Sequence, residues 1–373
     1  MDASAVVTPP YVAGPFHLHP FRALRLDPVR IGDPASARLY ARPYRNVEAR
    51  LATWRARGDV TEDDHEALYV HEYTDSGLTV AGVVGALDIS RRTPIAAESV
   101  VLPHEGVHPE QVRELADRMA RMALNPAPIL LVQDFPPAAR QCVARIREQP
   151  PDHEFSDRGG QHHRIWALRD VRAIAELNHS WSRTPALVAD GHHRYAAYLR
   201  LQAAGPGGPT DRGLAMIVDQ HTAPLHLGAI HRTLRDTSFA RLRTTAHTLA
   251  CRWRDAPHGE AVAALHPGTV VVTDATSWAS IQLPLPPGAA AVQFLHESFI
   301  PTLSDTPPAV RYHHTVDEAL KHLRPGRDTA VLLPAPTLAD VWNSVVSERL
   351  LPEKATSFQP KPHPGVFIRH LRV

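Results

Sequence analysis

A short apolar run passes directly into a polar pentapeptide near the middle of the chain, and this junction constrains the fold more than any other feature. Residues 186–189 have the character of a buried strand, Asp190-Gly-His-His-Arg194 follows, and 195–201 has the character of a helix. Glycine permits close approach of the backbone, and a helix start presents unpaired N–H groups. With the guanidinium of Arg194, the pattern indicates an anion site. A plain capped turn with a solvated arginine is the alternative.

Strands and helices alternate along the rest of the chain, which predicts an α+β fold. After Pro109, the apolar residues Val112, Leu115, Met119 and Met122 recur at the spacing of one helix face. The remaining predictions are strands at 67–73 and 78–87 around the turn Thr74-Asp-Ser-Gly77, strands at 129–132, 163–168, 214–218, 270–273, 330–333 and 365–369, and helices at 46–54, 138–147, 171–181, 240–253 and 338–346.

Three regions follow from this order. Residues 1–90 are strand-rich, 91–205 contain the polar junction, and 206–373 form a C-terminal α/β domain that we expect to contribute to the active-site cleft. The stretch 205–213 (GPGGPTDRG) is the best candidate linker because glycine and proline interrupt regular structure.

Charge and composition exclude several functions. Lys+Arg number 40 against Asp+Glu 39 in 373 residues, and no basic arm occurs, which argues against a nucleic-acid partner. No apolar run approaches the roughly 20 residues of a membrane helix, and the N-terminus lacks a signal-peptide pattern. We therefore expect a cytoplasmic protein without a membrane partner. Cys142 and Cys251 lack paired spacing, which excludes a disulfide framework and a thiolate zinc site.

A second polar constellation, His104-Glu105, lies between a predicted strand and the helix that begins near Pro109. A carboxylate in this position could act as a general base toward a hydroxyl, with the adjacent imidazole tuning it or binding an anion. The alternative is a solvated loop glutamate.

These motifs together resemble a known fold. Val101-Leu-Pro-His-Glu105, Pro128-Ile-Leu-Leu-Val132 and Leu187-Val-Ala-Asp-Gly-His-His-Arg-Tyr195 look like the ParB/sulfiredoxin fold, and most closely the free-serine kinases, which share a DGHxR-type motif and an upstream PHE-type glutamate. The resemblance implies a ParB/sulfiredoxin-like catalytic core at 91–205 with N-terminal and C-terminal α/β additions.

The whole chain also resembles a large family of unknown function that is marked by ADGHHRY. Ala355 and Ser357 replace the serine and tyrosine that are usual in the terminal motif, and the usual PPYD segment is lost or displaced. The matching segments are Pro20-Phe-Arg-Ala-Leu-Arg25, Val101–Glu105, His163-Arg-Ile-Trp166, the ADGHHRY run, Ile230-His-Arg-Thr-Leu234 and Leu351-Pro-Glu-Lys-Ala-Thr-Ser-Phe-Gln-Pro-Lys361.

The kinase resemblance implies phosphorylation of the side-chain hydroxyl of free L-serine, or of a related hydroxy amino acid, to O-phosphoserine. Glu105 would take the hydroxyl proton, with His104 and Asp190 as further catalytic candidates. Mg²⁺ is implied by phosphoryl transfer, but its ligands are not assigned. No Walker A motif occurs, so pyrophosphate is as reasonable a donor as ATP or ADP. The residues expected to hold the phosphoryl group and its donor are Asp190, Gly191, His192, His193 and Arg194.

Lysine is scarce, and this singles out two residues. The chain has three lysines among 40 basic residues, and Lys354 and Lys361 both fall in the terminal motif. We predict that they contact phosphate or carboxylate, where a compact charge suits better than a planar fork; chance solvated lysines are the alternative. His231 and Arg232 are candidates for the same site, and Arg22 is a weaker one.

Three rival functions remain. The main alternative is a ParB-like nucleotide-binding switch, or a DNA-associated protein without kinase activity, although no helix-turn-helix or basic surface is evident after residue 205. A sulfiredoxin-type reductase would need a cysteine where His192 stands. Histidine-based metal binding follows only from the 24 histidines, and adjacent histidines on a strand point to opposite faces.

Overall fold

The structure, a computed structural model, describes residues 6–33, 47–286, 288–321 and 323–371. These residues divide into two compact units. The large unit comprises 6–103, Val107–Leu225 and 360–371, and the small unit comprises His104–Gly106 and His226–Gln359. Strands and helices occur in both, which confirms the predicted α+β class.

The strands run in chain order as follows. The large unit contains β1 (Tyr11–Ala13), β2 (Leu18–His19), β3 (Leu24–Leu26), β4 (Val60–Glu62), β5 (Leu68–Asp75), β6 (Leu78–Asp88), β7 (Arg92–Thr93), β8 (Ser99–Leu102), β9 (Leu124–Asn125), β10 (Ile129–Gln133), β11 (His153–Ser156), β12 (His162–Leu168), β13 (Ala186–Asp190) and β14 (Arg212–Asp219). The small unit contains β15 (His226–Gly228), β16 (His231–Leu234), β17 (Arg252–Asp255), β18 (Thr269–Thr273), β19 (Trp278–Gln282), β20 (Val310–His313), β21 (Thr329–Leu332) and β22 (Ser357–Gln359). The last strand, β23 (Arg369–His370), belongs to the large unit.

The helices follow the same order. Those of the large unit are α1 (Val47–Ala56), α2 (Pro109–Met122), α3 (Pro137–Arg147), α4 (Val171–Trp181) and α5 (His192–Ala204). Those of the small unit are α6 (Phe239–Thr248), α7 (His258–Ala263), α8 (Ala291–Phe294), α9 (Ile300–Leu303), α10 (Val316–Lys321) and α11 (Leu338–Val346), with the π-helical turn Leu295–Phe299 between α8 and α9. Of the helices that the structure describes, none has both the length and the apolar character needed to cross a bilayer.

The large unit is built on a mixed sheet. In the described part of the chain it has eleven strands in the order β11-β12-β5-β6-β14-β10-β13-β8-β1-β7, with β2 beside β6. The pairs β10–β14 and β8–β13 are parallel and the others are antiparallel. Strand β13, which ends at Asp190, therefore lies between β10 and β8.

Local sequence signals produce the elements around β13. The hairpin β5–β6 turns at Ser76 and Gly77, both with positive φ, as the Thr74–Gly77 turn predicted. Helix α2 starts at Pro109 and buries Val112, Ala116, Met119 and Met122. Each fully buried side chain of the larger type contributes about 1.5–3 kcal/mol, so this face fixes α2 on the core.

Several predicted boundaries were wrong, each for a backbone reason. Helix α5 begins at His192, not at Tyr195, because Gly191 alone makes the turn out of β13. Helix α6 ends at Thr248 after which Ala250 takes a left-handed φ of 53°, and Trp253 lies in β17. Near the C-terminus, Gly365 has a φ of 104°, so only Arg369–His370 forms a strand.

The division into units also differs from the three regions read from the sequence. Residues on both sides of position 90 share the large sheet, and the 205–213 segment connects α5 to β14 within that sheet's unit. Apart from His104–Gly106, the chain leaves the large unit at Leu225 and returns at Pro360. Long-range strand pairing, which local composition does not reveal, sets these limits.

The small unit has its own antiparallel sheet. Among its described residues the strand order is β17-β19-β18-β21-β16-β20, and β15 pairs separately with β22. A compact apolar cluster of Ala261, Val271, Ala319, Ala330 and Leu332 packs in this unit.

Candidate functional site

The turn between β13 and α5 depends on a glycine. Gly191 has a φ of +90°, a conformation that side chains other than glycine's rarely adopt. A Cβ atom there would also lie 3.0 Å from Nε and Nη2 of Arg194. The absence of a side chain therefore lets the guanidinium fold back over the turn.

Asp190 forms ion pairs with two predicted site residues of the large unit, Arg194 and Lys361. Arg194 Nη2 donates to Asp190 Oδ2 at 2.5 Å, and Lys361 Nζ donates to Oδ1. Arg194 Nη1 donates to the carbonyl oxygen of Pro128 at 2.5 Å. Burial raises the pKa of Asp190, but the charges of Arg194 and Lys361 outweigh this effect and hold the pKa below its usual value.

The three charges give the junction an excess of positive charge. Asp190 carries one negative charge and contacts two cations, and the start of α5 adds the positive end of the helix dipole. The side chains of Asp190 and Arg194 are each 25% exposed, and that of Lys361 is 38% exposed. Solvent therefore reaches this cationic group, as an anion site requires.

The two histidines of the pentapeptide differ in their surroundings. His192 is buried and lies close enough to Asp190 to lower that carboxyl's pKa further. The backbone N–H of His108 donates to His193 Nε2 at 3.1 Å, and the two rings stack at 6.1 Å. Since His108 precedes α2, His193 connects the first turns of α5 and α2, which is a packing role.

Glu105, the candidate base, lies in the small unit. Its Oε2 accepts from the backbone N–H of Lys354 at 3.1 Å, and Oε1 accepts from those of Ala355 and Thr356, both at 3.1 Å. The hydroxyl of Thr356 donates to Oε1 at 2.9 Å. Lys354 has a left-handed φ of 53°, and successive N–H groups around such a residue form a concave anion-binding surface. Glu105 thus orders the 354–356 segment.

His104 supports the same arrangement. Its side chain is fully buried, its Nε2 lies 2.8 Å from Thr356 Oγ1, and its ring packs edge-on against Phe358. The backbone N–H of Leu351 donates to the His104 carbonyl at 2.8 Å. In this structure the imidazole therefore positions Thr356 beside the Glu105 carboxylate.

Arg232 is a fully buried cation of the same unit. Its Nη2 donates to the Lys354 carbonyl at 2.9 Å, its Nε donates to His296 Nε2 at 3.1 Å, and its guanidinium lies 5.0 Å from the Tyr312 ring centroid. Burial lowers the pKa of Arg232 to about 10, against the opposing effects of Tyr312 and Glu105. Arg232 therefore fixes the backbone on which Lys354 is carried.

The other candidates lie elsewhere or act structurally. His231 Nδ1 accepts from the backbone N–H of Leu333 at 3.2 Å, and burial lowers the pKa of His231 to about 4. The Lys354 ammonium lies over the Tyr312 ring, 5.6 Å from its centroid. Arg22 donates from Nε to the Asp63 carbonyl at an exposed position, which is a surface role.

The structure thus groups the predicted residues in two sets. Asp190, Arg194 and Lys361 meet in the large unit, and His104, Glu105, Arg232 and Lys354 lie together in the small unit. Sequence reasoning missed Thr356, although its place in the terminal motif was a signal, and it missed His296, which no motif marks.

No magnesium cage is evident in the described ranges, since no group of three or more His, Cys, Asp or Glu side chains is placed to hold a metal ion. Both oxygens of Asp190 already accept from cations. The protein side chains of this part of the chain therefore do not fit a resident Mg²⁺.

Solved structures of low identity resemble the chain. A free serine kinase variant in complex with ADP is 14% identical, with 73% of this chain and 89% of that chain covered and a TM-score of 0.44. SbnI with a C-terminal truncation from Staphylococcus aureus is 10% identical, with coverages of 77% and 87% and a TM-score of 0.45. A conserved hypothetical protein from Pyrococcus furiosus is 14% identical, with coverages of 73% and 92% and a TM-score of 0.41. At these scores the similarities carry no functional argument.

Sequence comparison gives the family. The comparison with curated proteins found no match. A family model described as "Protein of unknown function (DUF1015)" matches residues 6–283, which is most of the chain. The family resemblance carried by the ADGHHRY run is thereby confirmed, and the chain belongs to the DUF1015 family.

Proposed function

We propose that this protein is a phosphotransferase that phosphorylates the side-chain hydroxyl of free L-serine, or of a related hydroxy amino acid, with pyrophosphate, ATP or ADP as donor. The observation that carries the proposal is the cationic junction of Asp190, Arg194 and Lys361 at the start of α5. The DGHHR motif at that junction, with the upstream His104-Glu105, supports the free-serine-kinase assignment. A ParB/sulfiredoxin-like core at 91–205 is part of the proposal.

The junction suits the phosphoryl group because phosphoryl transfer depends mainly on positioning and charge neutralisation. Lys361 supplies an ammonium, Arg194 supplies a guanidinium that is fixed by the Pro128 carbonyl, and Gly191 leaves room for that guanidinium over the turn. Asp190 holds both cations in place and leaves one net positive charge among the three side chains. Mg²⁺ belongs to the substrate in this proposal: bound to the phosphates of the donor, it would supply further charge neutralisation.

Glu105 is the proposed base. The serine hydroxyl oxygen attacks phosphorus, its proton passes to the Glu105 carboxylate, the bond from phosphorus to the donor's leaving oxygen breaks, and the leaving phosphate departs with the bonding electron pair. The hydrogen bonds from Lys354, Ala355 and Thr356 hold the carboxylate in one orientation for this transfer. Lys354 and Arg232 contribute positive charge to the same unit, where they favour the anionic groups of the substrates.

The test is product formation followed by phosphorus NMR, with serine, threonine and homoserine each offered with pyrophosphate, ATP and ADP in the presence of Mg²⁺. We expect a phosphomonoester of at least one amino acid. Glu105→Gln should reduce turnover at least 100-fold, consistent with loss of general base catalysis, while donor affinity stays within about twofold of wild type. Glu260→Gln, on the exposed surface of the small unit, is the matched control.

Two results would contradict the proposal. The absence of any phosphomonoester with every donor would remove the kinase activity. Retention on DNA at physiological salt, or nucleotide binding without transfer, would favour the ParB-like switch instead.

A further inference from the structure

Residues 360–364 form a stiff segment next to the cationic junction, which we call the proline strap. Its sequence is Pro360-Lys361-Pro362-His363-Pro364, so Lys361 and His363 each lie between two prolines. Proline fixes its own φ and restricts the residue before it to extended conformations. The backbone of the strap therefore has little conformational freedom to lose when its two basic side chains bind a ligand.

Three hydrogen bonds fix the backbone of the proline strap to the large unit. Tyr73 donates its hydroxyl to the Pro360 carbonyl at 2.7 Å. Gln161, which is 1% exposed, donates Nε2 to the Lys361 carbonyl at 2.7 Å and accepts at Oε1 from the backbone N–H of His363 at 3.0 Å. The amide of Gln161 thus holds the chain on both sides of Pro362.

His363 is oriented by a buried carboxylate. Its Nδ1 lies 2.6 Å from Asp157 Oδ2, and the same oxygen receives His163 Nε2 at 3.0 Å. Burial raises the pKa of Asp157, but the hydrogen bonds from the two histidines outweigh this effect and hold the pKa below its usual value, so the carboxylate is charged. Because a carboxylate only accepts, both imidazoles donate N–H to it. Nδ1 of His363 therefore carries a proton and donates it to Asp157.

Close packing leaves the imidazole of His363 a single orientation. A Cβ atom at Gly159 would lie 2.4 Å from its Cε1, and one at Gly32 would lie 3.3 Å from its Nδ1. Within the described chain Nε2 contacts no polar group, and the side chain is 28% exposed, so this nitrogen reaches solvent. The ring thus has one nitrogen fixed by Asp157 and the other open to a ligand.

Lys361 has similar spare capacity. Of the three donor positions of its ammonium, one is used by Asp190, which is the sole hydrogen-bond partner of Nζ among the described residues. His363 is two residues away, so the two Cα atoms are at most about 7 Å apart. One phosphate group or a pyrophosphate can span that separation.

We propose that the proline strap completes the anion site at the 190–194 junction: Lys361 Nζ and His363 Nε2 both donate hydrogen bonds to phosphate oxygens, with both ring nitrogens of His363 protonated in the complex. The titratable and charged groups that face His363 are Asp157, His163 and Asp75. Asp157 stabilises the imidazolium through Nδ1 while the anion stabilises it through Nε2. This inference rests on the phosphate-binding part of the proposed function.

The experiment measures inorganic pyrophosphate binding to the full-length protein by calorimetry at pH 7.5. His363→Gln should weaken binding about tenfold, as expected for one charge-assisted hydrogen bond. Lys361→Met should weaken binding by a similar factor. His179→Gln, exposed at the end of α4, is the matched control and should behave as wild type.

Nitrogen NMR of the histidine rings in wild type gives a second measurement that needs no variant. We expect both ring nitrogens of His363 to be protonated in the pyrophosphate complex, with the Nε2 signal shifted by the ligand. Wild-type affinity in His363→Gln, or a His363 ring signal insensitive to pyrophosphate, would overturn the inference. Since no serine is present, this result is separate from kinase activity: an inactive protein whose His363 ring binds pyrophosphate would contradict only the proposed reaction.

Discussion

Replacement of Gly191 by alanine tests whether the junction is built as described. An alanine at a φ near +90° costs about 1–2 kcal/mol, because the left-handed region brings Cβ close to the following carbonyl. Its Cβ would also lie 3.0 Å from the Arg194 guanidinium. The guanidinium is the far end of a flexible side chain, so it gives way by a few tenths of an ångström and strains its bond to Asp190. Because a hydrogen bond between charged groups is worth about 1.5–3 kcal/mol, the expected loss exceeds the backbone cost and stays below about 5 kcal/mol.

Gly207 is the matched control for this substitution. It has nearly the same φ, +85°, but a Cβ there would meet no atom within 4 Å. Gly207→Ala should therefore cost only the backbone term of about 1–2 kcal/mol. Urea unfolding followed by circular dichroism measures both variants against wild type. Equal losses for the two variants would refute the contact between Gly191 and Arg194.

Two further predictions concern the small unit. Thr356→Val removes the hydroxyl that forms hydrogen bonds with Glu105 and His104, and it should lower the free energy of unfolding, measured in urea, by about 1.5–3 kcal/mol. The control Thr302→Val, at an exposed position, should change that free energy by less than about 0.5 kcal/mol. Equal effects of the two variants would contradict the role of Thr356. Burial, and to a smaller extent the charge of Arg232, lowers the pKa of His296 to about 3 in the folded protein. Because His296 of the unfolded chain becomes protonated at a higher pH than His296 of the folded protein, the free energy of unfolding falls as the pH drops from 6.5 toward 3. By pH 4 the loss of unfolding free energy is on the order of 3 kcal/mol. His296→Gln keeps a hydrogen-bond acceptor for Arg232, and it should flatten this part of the curve of stability against pH. An unchanged slope would show that His296 is not the titrating group.

Local patterns predicted the elements whose signals are contained within a few residues. Helix α4 occupies Val171–Trp181 as predicted, and the hairpin β5–β6 turns where glycine and serine permit positive φ. The junction was also recognisable, because a strand, a glycine turn and a helix follow each other without a gap.

Contacts between residues far apart in the sequence could not be predicted from local patterns. Glu105 is bound by backbone groups of Lys354, Ala355 and Thr356, which are 249–251 positions away in the chain. No periodicity encodes such a pairing, so the sequence could propose Glu105 as a base but could not show that it orders the terminal motif. The scarcity of lysine was a better guide, since Lys361 contacts Asp190.

The sequence around His363 contains a signal of rigid structure that the sequence predictions did not use. The alternating prolines around it mark a rigid segment, but the ring acquires its orientation only from Asp157 and Gly159, which lie on the loop between β11 and β12.

The most direct test of the proposed reaction uses serine labelled with oxygen-18 in its side-chain hydroxyl. If that hydroxyl attacks the donor phosphorus, phosphoserine forms with the label in the bridging position, and its phosphorus resonance shifts upfield from that of the unlabelled product. Release of inorganic phosphate without phosphoserine, or phosphoserine in which the bridging oxygen is unlabelled, would contradict the reaction.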